Sequence, residues 1–307
     1  MGLFKQIGKL FFVLEKNRKK MKRKAVAILT IAILSIVSIT GCGDKGKDSE
    51  VTVVKVADRQ NIPEIWDAVN KILEPENIRV ENKAYDSSVN LNDLLIAGDI
   101  DMNVAQHYAA IDFFKSSNDK YDVLTPLGEI GIGSLDLYSN KYKSVDELPE
   151  KANIGIPSDV MNGGRALTVL ERAGLIKLNS DYVGFPDEKD IIDNPKEVTF
   201  TPIDTTAMVR SLDDLDAGFV YSSTAVYSGL NPVEDPIYQD EIDVENNEFQ
   251  KQFVIVFTGV KGDENNEIYK KVIEAYHSDE VYKVYKDVLK GGSIPVADGK
   301  SIDLSKY

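Results

Sequence analysis

An α/β fold of two lobes is predicted by two features of the sequence. Short β-type runs alternate with amphipathic helical segments, and the alternation starts afresh after Leu135-Asp136-Leu137-Tyr138. Strands separated by helices imply a parallel or mixed sheet, and no repeat with a period of about 20–50 residues points to a solenoid. Two such units that share crossing segments imply a cleft between them, and sheets of this kind bind ligands beyond the carboxyl ends of their strands.

The first unit opens with Val51-Thr52-Val53-Val54-Lys55-Val56 as a strand. Pro63 to Leu73 follows as a helix, because Ile65, Trp66, Val69, Ile72 and Leu73 recur at helical spacing. Ile78–Asn82 reads as a strand, Leu91–Ala97 as a helix, Ile100–Ala105 as a strand and Tyr108–Phe114 as a helix. In the second unit, Lys143–Pro149 reads as a short helix stopped by proline. Asn153–Pro157 is a strand running through an Asn162-Gly163-Gly164 loop into a helix over Arg165–Ala173. Val198–Ile203 is a strand, Thr205–Leu212 a helix, Ala217–Tyr221 a strand, and Ser222–Ser228 a helix ended by Gly229. An acidic, loop-like stretch follows Asn231-Pro232. Phe253–Phe257 then forms a buried strand, and amphipathic helices over Glu264–His277 and Asp279–Leu289 close the chain.

Ahead of these units lies a dense basic block from Lys16 to Lys24, followed by an uncharged run from Ala25 to Cys42. This is the order of a secretory signal peptide. Residues 1–41 are therefore expected to be a signal peptide, and because Met21 opens a more typical one than Met1, residues 1–20 are either an upstream extension or precede the true start. Ile39-Thr40-Gly41-Cys42 resembles a bacterial lipobox, in which the cysteine is acylated after cleavage, and several acyl chains give stable anchoring. A transmembrane helix or an inert buried thiol are the plainer readings of the same residues. The polar stretch from Gly43 to Glu50 reads as a tether, which favours the lipid anchor and a place on the extracytoplasmic face of a cell membrane.

With 36 basic and 50 acidic side chains in the chain, nine of the bases and one acid lie at or before Cys42, which leaves the rest strongly acidic. Such a surface repels nucleic acid. One cysteine and two histidines allow no internal disulfide and offer no obvious zinc site, so no metal and no cofactor are expected. Nucleophile-elbow, Walker, zincin and dinucleotide motifs are absent, which speaks against an enzyme.

The most informative local segment is Ile156-Pro157-Ser158-Asp159-Val160-Met161-Asn162-Gly163-Gly164-Arg165. A strand, a glycine-bearing loop and an arginine at a helix start suit a carboxylate ligand, because Arg165 can grip it with two parallel bonds. An ordinary turn with a surface arginine fits the spacing equally well.

Asn162-Gly163-Gly164-Arg165-Ala166-Leu167, with Leu170 to Leu178 after it, resembles the NlpA-like methionine-binding lipoproteins, the substrate-binding components of methionine ABC transporters. Four further stretches agree in order: Gly98 to Asn103 with Gln106-His107; Leu137-Tyr138-Ser139 through Leu148-Pro149; Asp193-Asn194-Pro195-Lys196; and Gly229-Leu230-Asn231-Pro232. The similarity spans about residues 52–296. It implies a type II periplasmic-binding-protein fold, with residues 51–138 and 250–307 in one lobe and 139–249 in the other. It also implies capture of an amino acid for delivery to a permease with ATPase subunits. The alternative is a surface lipoprotein or adhesin that keeps the fold without transport.

Carried over by position, the resemblance gives Arg165 the ligand carboxylate, with Asn162 opening the same loop. Gln106 and His107 stand at the cleft edge, although His107 equally suits a helix cap. Ser88 takes the place of a pocket tyrosine, with Tyr85 close by, and Tyr221-Ser222-Ser223-Thr224 replaces an asparagine-bearing segment. The first loop reads Asp58-Arg59-Gln60, and Asp58, Asp159 or Ser223 would receive the ligand ammonium. Val104 and Ala105 stand where the family has two aromatics. This implies a larger side-chain pocket with fewer sulfur–aromatic contacts, each worth roughly 0.3–1.5 kcal/mol, and hence a ligand bulkier or more polar than methionine.

Overall fold

The computed structural model describes residues 50–60 and 62–307. The basic block, the apolar run and Cys42 lie outside the described residues, and with them the expected signal peptide and lipid anchor. No helix of the described residues is long and apolar enough to cross a membrane.

The first lobe begins with β1 (Thr52–Asp58), α1 (Pro63–Leu73), β2 (Ile78–Ala84), α2 (Leu91–Ala97), β3 (Met102–His107) and α3 (Tyr108–Ser117). Pro63 at the first helical position fixes where α1 starts, and Ile65, Trp66, Val69 and Leu73 turn inward at the spacing the sequence shows. β4 (Leu124–Gly133) then leads through Ser134 alone into β5 (Leu135–Tyr138).

The second lobe continues with β6 (Asn153–Pro157), α4 (Val160–Arg172), the short β7 (Lys177–Leu178) and β8 (Ile191–Asp193), β9 (Thr199–Ile203), α5 (Met208–Ser211) and β10 (Ala217–Tyr221). α6 (Ser222–Tyr227) and α7 (Glu248–Lys251) carry the chain back to β11 (Ile255–Val260), α8 (Glu267–Tyr276), α9 (Asp279–Leu289), β12 (Ser293–Ala297) and β13 (Lys300–Ser301).

A seven-stranded sheet, ordered β13-β12-β4-β11-β3-β1-β2, forms the first lobe. β1 lies between β2 and β3 and is parallel to both, while β11 runs antiparallel to β3 and β4. The second lobe has a four-stranded sheet ordered β5-β10-β6-β9, and a β7-β8 pair stands apart from it. β5, placed in the first lobe by the sequence reading, pairs antiparallel with β10 and so belongs to the second. The chain leaves the first lobe at Ser134, and Ser222 donates its backbone N–H to the Ser134 carbonyl at 3.0 Å, so the start of β5 and the end of β10 are joined there.

Two other differences from the sequence reading have packing causes. The sequence does not announce β4, because Pro126, Gly128, Gly131 and Gly133 make it look like a turn. Its glycines instead serve close approach: a side chain on Gly131 would fall 2.6 Å from the Ile294 carbonyl, and one on Gly128 would fall 2.8 Å from Ile273. The strand expected at Phe253–Phe257 is shifted to Ile255–Val260, which leaves Phe253 outside the ladder.

Candidate functional site

Between the lobes lies a cavity of about 620 Å³, within the range of small-molecule sites. Ten candidate side chains line it, with Asp159 beside them: Asp58, Arg59, Tyr85 and Ser88 from the β1 and β2 ends, Gln106 and His107 from β3, Asn162 and Arg165 from α4, and Tyr221 and Ser223 at the start of α6. They converge because β1, β3 and β10 all end here, as the crevice rule for such sheets requires. Val104 and Ala105 are also in the wall. Gln60 of the first lobe donates its side-chain amide to the Thr224 hydroxyl of the second at 3.2 Å, so the lobes touch beside the cavity.

The Arg165 end differs from the expected loop-and-fork. Asp159 caps α4 by accepting the Asn162 N–H at 2.9 Å, so the helix starts at Val160, and Arg165 lies in its second turn rather than at a helix start. Asn162, Gly163 and Gly164 are helical. Both glycines permit close packing: a side chain on Gly163 would meet the Pro157 carbonyl at 2.9 Å, and one on Gly164 would meet Phe185 at 2.8 Å. Arg165 is 2% exposed. Its Nε and Nη2 donate to Asp240 Oδ2 at 3.1 and 2.7 Å, Nη2 also donates to the Gly133 carbonyl at 2.8 Å, and its guanidinium lies 5.1 Å from the Phe253 ring centroid. Its charge is therefore already paired. Only Nη1 has no hydrogen bond among the described residues.

Behind Arg165, Asp240 also receives Arg172 and accepts no exposure to solvent. The Asp240 N–H donates to Asp136 Oδ1 at 2.8 Å. Burial pushes Asp136 up to about 6, against the opposing pull of the Ser134 hydroxyl and that N–H. Without Arg165, the buried Asp240 carboxylate would keep only Arg172 and a 3.5 Å bond from Gln250, so Arg165 supports the fold as well as lining the cavity. Asp240 lay in the acidic loop, where no periodicity distinguishes it from solvated neighbours.

His107 is the cap of α3, its Nδ1 accepting the Ala110 N–H at 3.1 Å, which leaves the ring proton on Nε2. Burial, reinforced by the Arg165 charge, lowers its pKa to about 3, so it is neutral throughout the physiological range. Gln106 is not free to meet a ligand through its amide. Its Nε2 donates to Asn92 Oδ1 at 2.8 Å and its Oε1 accepts from Asn92 Nδ2 at 3.1 Å. Asn103 joins this cluster through Nδ2 at 3.2 Å. Two buried acceptors in the cavity wall have no partner among the described residues: Asn103 Oδ1 and Asn162 Oδ1. Asn103 stood in a motif of the sequence but was not singled out, because a single asparagine on a strand gives no local signal.

At the other end of the wall, Asp58 closes β1. Its Oδ1 accepts the N–H of Arg59 at 2.6 Å and of Gln60 at 3.3 Å. Burial raises its pKa to about 7, opposed by those backbone donors and by the Arg59 charge. The Arg59 side chain is turned to the next loop, where Nη1 donates to the Asp86 carbonyl and Nη2 to the Val89 carbonyl at 2.9 Å. Ser88 is bound through both its N–H and its hydroxyl to Asp86, whose pKa is held down chiefly by that hydroxyl. Tyr85 donates its N–H to the Asp58 carbonyl at 2.9 Å. Burial raises the Tyr221 phenol above its ordinary value, so it is a donor rather than an anion.

No group of three or more metal-ligating side chains occurs among the described residues. The sequence profile of the NlpA lipoprotein family matches residues 51–297. The D-methionine-binding lipoprotein MetQ of Escherichia coli K12 is 31% identical over 267 residues, covering 86% of this chain and 94% of that protein. The probable D-methionine-binding lipoprotein MetQ of Vibrio cholerae is 32% identical, covering 89% and 99%. Among solved structures, protein PG110 of Staphylococcus aureus superposes with a TM-score of 0.74 at 32% identity, over 82% of this chain and 96% of that one. The substrate-binding protein of a methionine transporter from Streptococcus pneumoniae gives 0.72 at 28%, over 81% and 97%. The two lobes and their cleft are thus a periplasmic-binding-protein fold, and the chain belongs to the NlpA lipoprotein family.

Proposed function

We propose that this chain is the solute-binding lipoprotein of an ABC importer, held at the extracytoplasmic face of the cell membrane by acylated Cys42. It takes methionine or a related amino acid and hands it to a permease driven by ATPase subunits. The observation that carries this reading is the convergence of ten side chains from both lobes on one cavity. A site that needs both lobes to be complete is one that closing brings into being.

In this reading Asp240 fixes the Arg165 guanidinium so that Nη1 faces the ligand carboxylate, with the hydroxyls of Tyr221 and Ser223 and the Nε2–H of His107 as further donors. The unpartnered Oδ1 of Asn162 takes the ammonium. The contact at Asn162 Oδ1 relieves a buried acceptor, which costs about 1–3 kcal/mol when unsatisfied.

Thermal unfolding of the purified full chain with L- and D-methionine, their derivatives and small peptides tests the reading. A ligand at a hundred times its dissociation constant adds roughly 2.7 kcal/mol of stability. No stabilisation by any of them removes the solute-binding role. For the anchor, Cys42→Ala is expected to abolish labelling by radioactive palmitate in cells, and persistent labelling would place the lipid elsewhere.

A further inference from the structure

The cavity wall holds the carboxylates of Asp58, Asp86 and Asp159 and the guanidiniums of Arg59 and Arg165. Four of these five are already engaged by neighbours. Arg165 faces Asp240, a buried carboxylate behind the wall. Arg59 is bound to two loop carbonyls. Asp86 takes the Ser88 hydroxyl, and Asp159 caps α4 while holding the Asn162 side chain at 3.1 and 3.0 Å. Asp58 is the exception: its Oδ1 has two backbone donors, and its Oδ2 has no hydrogen-bond partner among the described residues.

The surroundings of Asp58 are those of a cation site rather than of a solvated turn. In the parallel register Ala57 stands beside Asn103, so Val104 comes alongside Asp58. Trp66 and Tyr276, each 5% exposed with ring centroids 5.7 Å apart, contribute to the same cavity wall. Both rings pack on Phe257 in the core, so this part of the wall is apolar, and a desolvated carboxylate in it attracts a positive charge more strongly than one in water. Arg59 lies next to Asp58 but gives its guanidinium to two loop carbonyls, and no cationic side chain hydrogen-bonds to Asp58 among the described residues. The chain as a whole carries a formal charge of −14, which enriches cations at a concave surface.

We infer that the ligand carries a second positive charge, on its side chain, and that Asp58 receives it: an amino acid with a sulfonium or ammonium side chain rather than a neutral thioether. This rests on the solute-binding role proposed above and assigns the substrate class of that same cavity. The amino-acid head stays at Arg165, Asn162 and Tyr221, while the side chain runs past Val104 and Ala105 toward Asp58. With two small residues there, the wall leaves length for it.

Two pairs of ligands isolate the charge. S-methylmethionine differs from methionine by a methyl group and a fixed positive charge, and Nε-acetyl-lysine differs from lysine by an acetyl group that removes the charge on its amine. Calorimetric titration of the full chain is expected to give at least about tenfold tighter binding to the charged member of one pair. Asp58→Asn is expected to weaken that charged ligand by about 30-fold or more, the low end for truncating one partner of a buried ion pair. It should change the neutral member by no more than about threefold. Preference for the neutral members overturns the inference and leaves the solute-binding role standing. An equal loss for charged and neutral members also overturns it, because Asp58 would then hold the ammonium common to all. Failure of all four, and of the wider amino-acid panel, to bind either protein removes the solute-binding role and this inference with it.

Discussion

The two ends of the cavity handle charge in opposite ways. At one end Arg165 is paired with Asp240, which is itself tied to Arg172 and to Asp136, so the cation is oriented but neutralised from within. At the other, Asp58 is desolvated and kept short of partners. The first arrangement is structural support that also faces the cavity. The second keeps an interaction in reserve for something from outside. A site assembled this way gains its selectivity where the protein is least satisfied without ligand.

The largest expected effect breaks the supported end. Arg165→Ala leaves Asp240 without its main partner, and removing one member of a buried ion pair costs about 3–5 kcal/mol. A fall of that size in the free energy from urea unfolding is expected. Restoring much of it by Asp240→Leu in the same chain would show that the cost is the stranded carboxylate. Arg165→Ala with stability unchanged would mean that the pairing contributes nothing.

A smaller effect of opposite sign comes from Asp58. Its folded-state pKa is raised from 3.8 to about 7, so the native protein holds that proton more tightly than the unfolded chain does. This contribution to stability is complete below the unfolded value and is lost as pH rises through about 7. Asp58→Asn is therefore expected to stabilise the ligand-free protein at pH 8, by roughly 1–2 kcal/mol after allowing for partial solvent access, and to have little effect at pH 4. Equal effects at the two pH values would sink this account.

The smallest change sharpens the comparison at the seam between the lobes. Thr224→Val removes the acceptor for Gln60 without changing volume much. The net value of one such bond is about 1 kcal/mol. Ligand dissociation is expected to quicken by about fivefold while unfolding of the ligand-free protein stays nearly the same. An unchanged dissociation rate would exclude this bond from closure.

Much of this was legible in the sequence. Helical spacing located Pro63–Leu73, Leu91–Ala97 and Asp279–Leu289, because their buried faces are set by local periodicity. The resemblance in the Asn162 to Leu178 segment pointed to the wall around Arg165. What stayed hidden depends on contacts distant in sequence. Asp240 is one acid among many until folding places it against Arg165, 75 residues earlier. The glycines of β4 look like turn formers until Ile294 and Ile273 press on them. The start of α4 was misread because Gly163 and Gly164 suggest a loop, whereas the Asp159 side chain decides where the helix begins.

The bond that joins Ser134 to Ser222 bears on how the chain reaches this state. β4 and β11 are neighbours in the first sheet, yet the whole second lobe lies between them in sequence. Closing that loop in an unstructured chain costs on the order of 4 kcal/mol from its length alone. If residues 134–222 collapse first, their ends are already within one hydrogen bond of each other, and β11 meets β4 across a much shorter unstructured segment. The inserted lobe thus acts as a splint, and mutations that loosen its core should slow assembly of the sheet to which it does not belong.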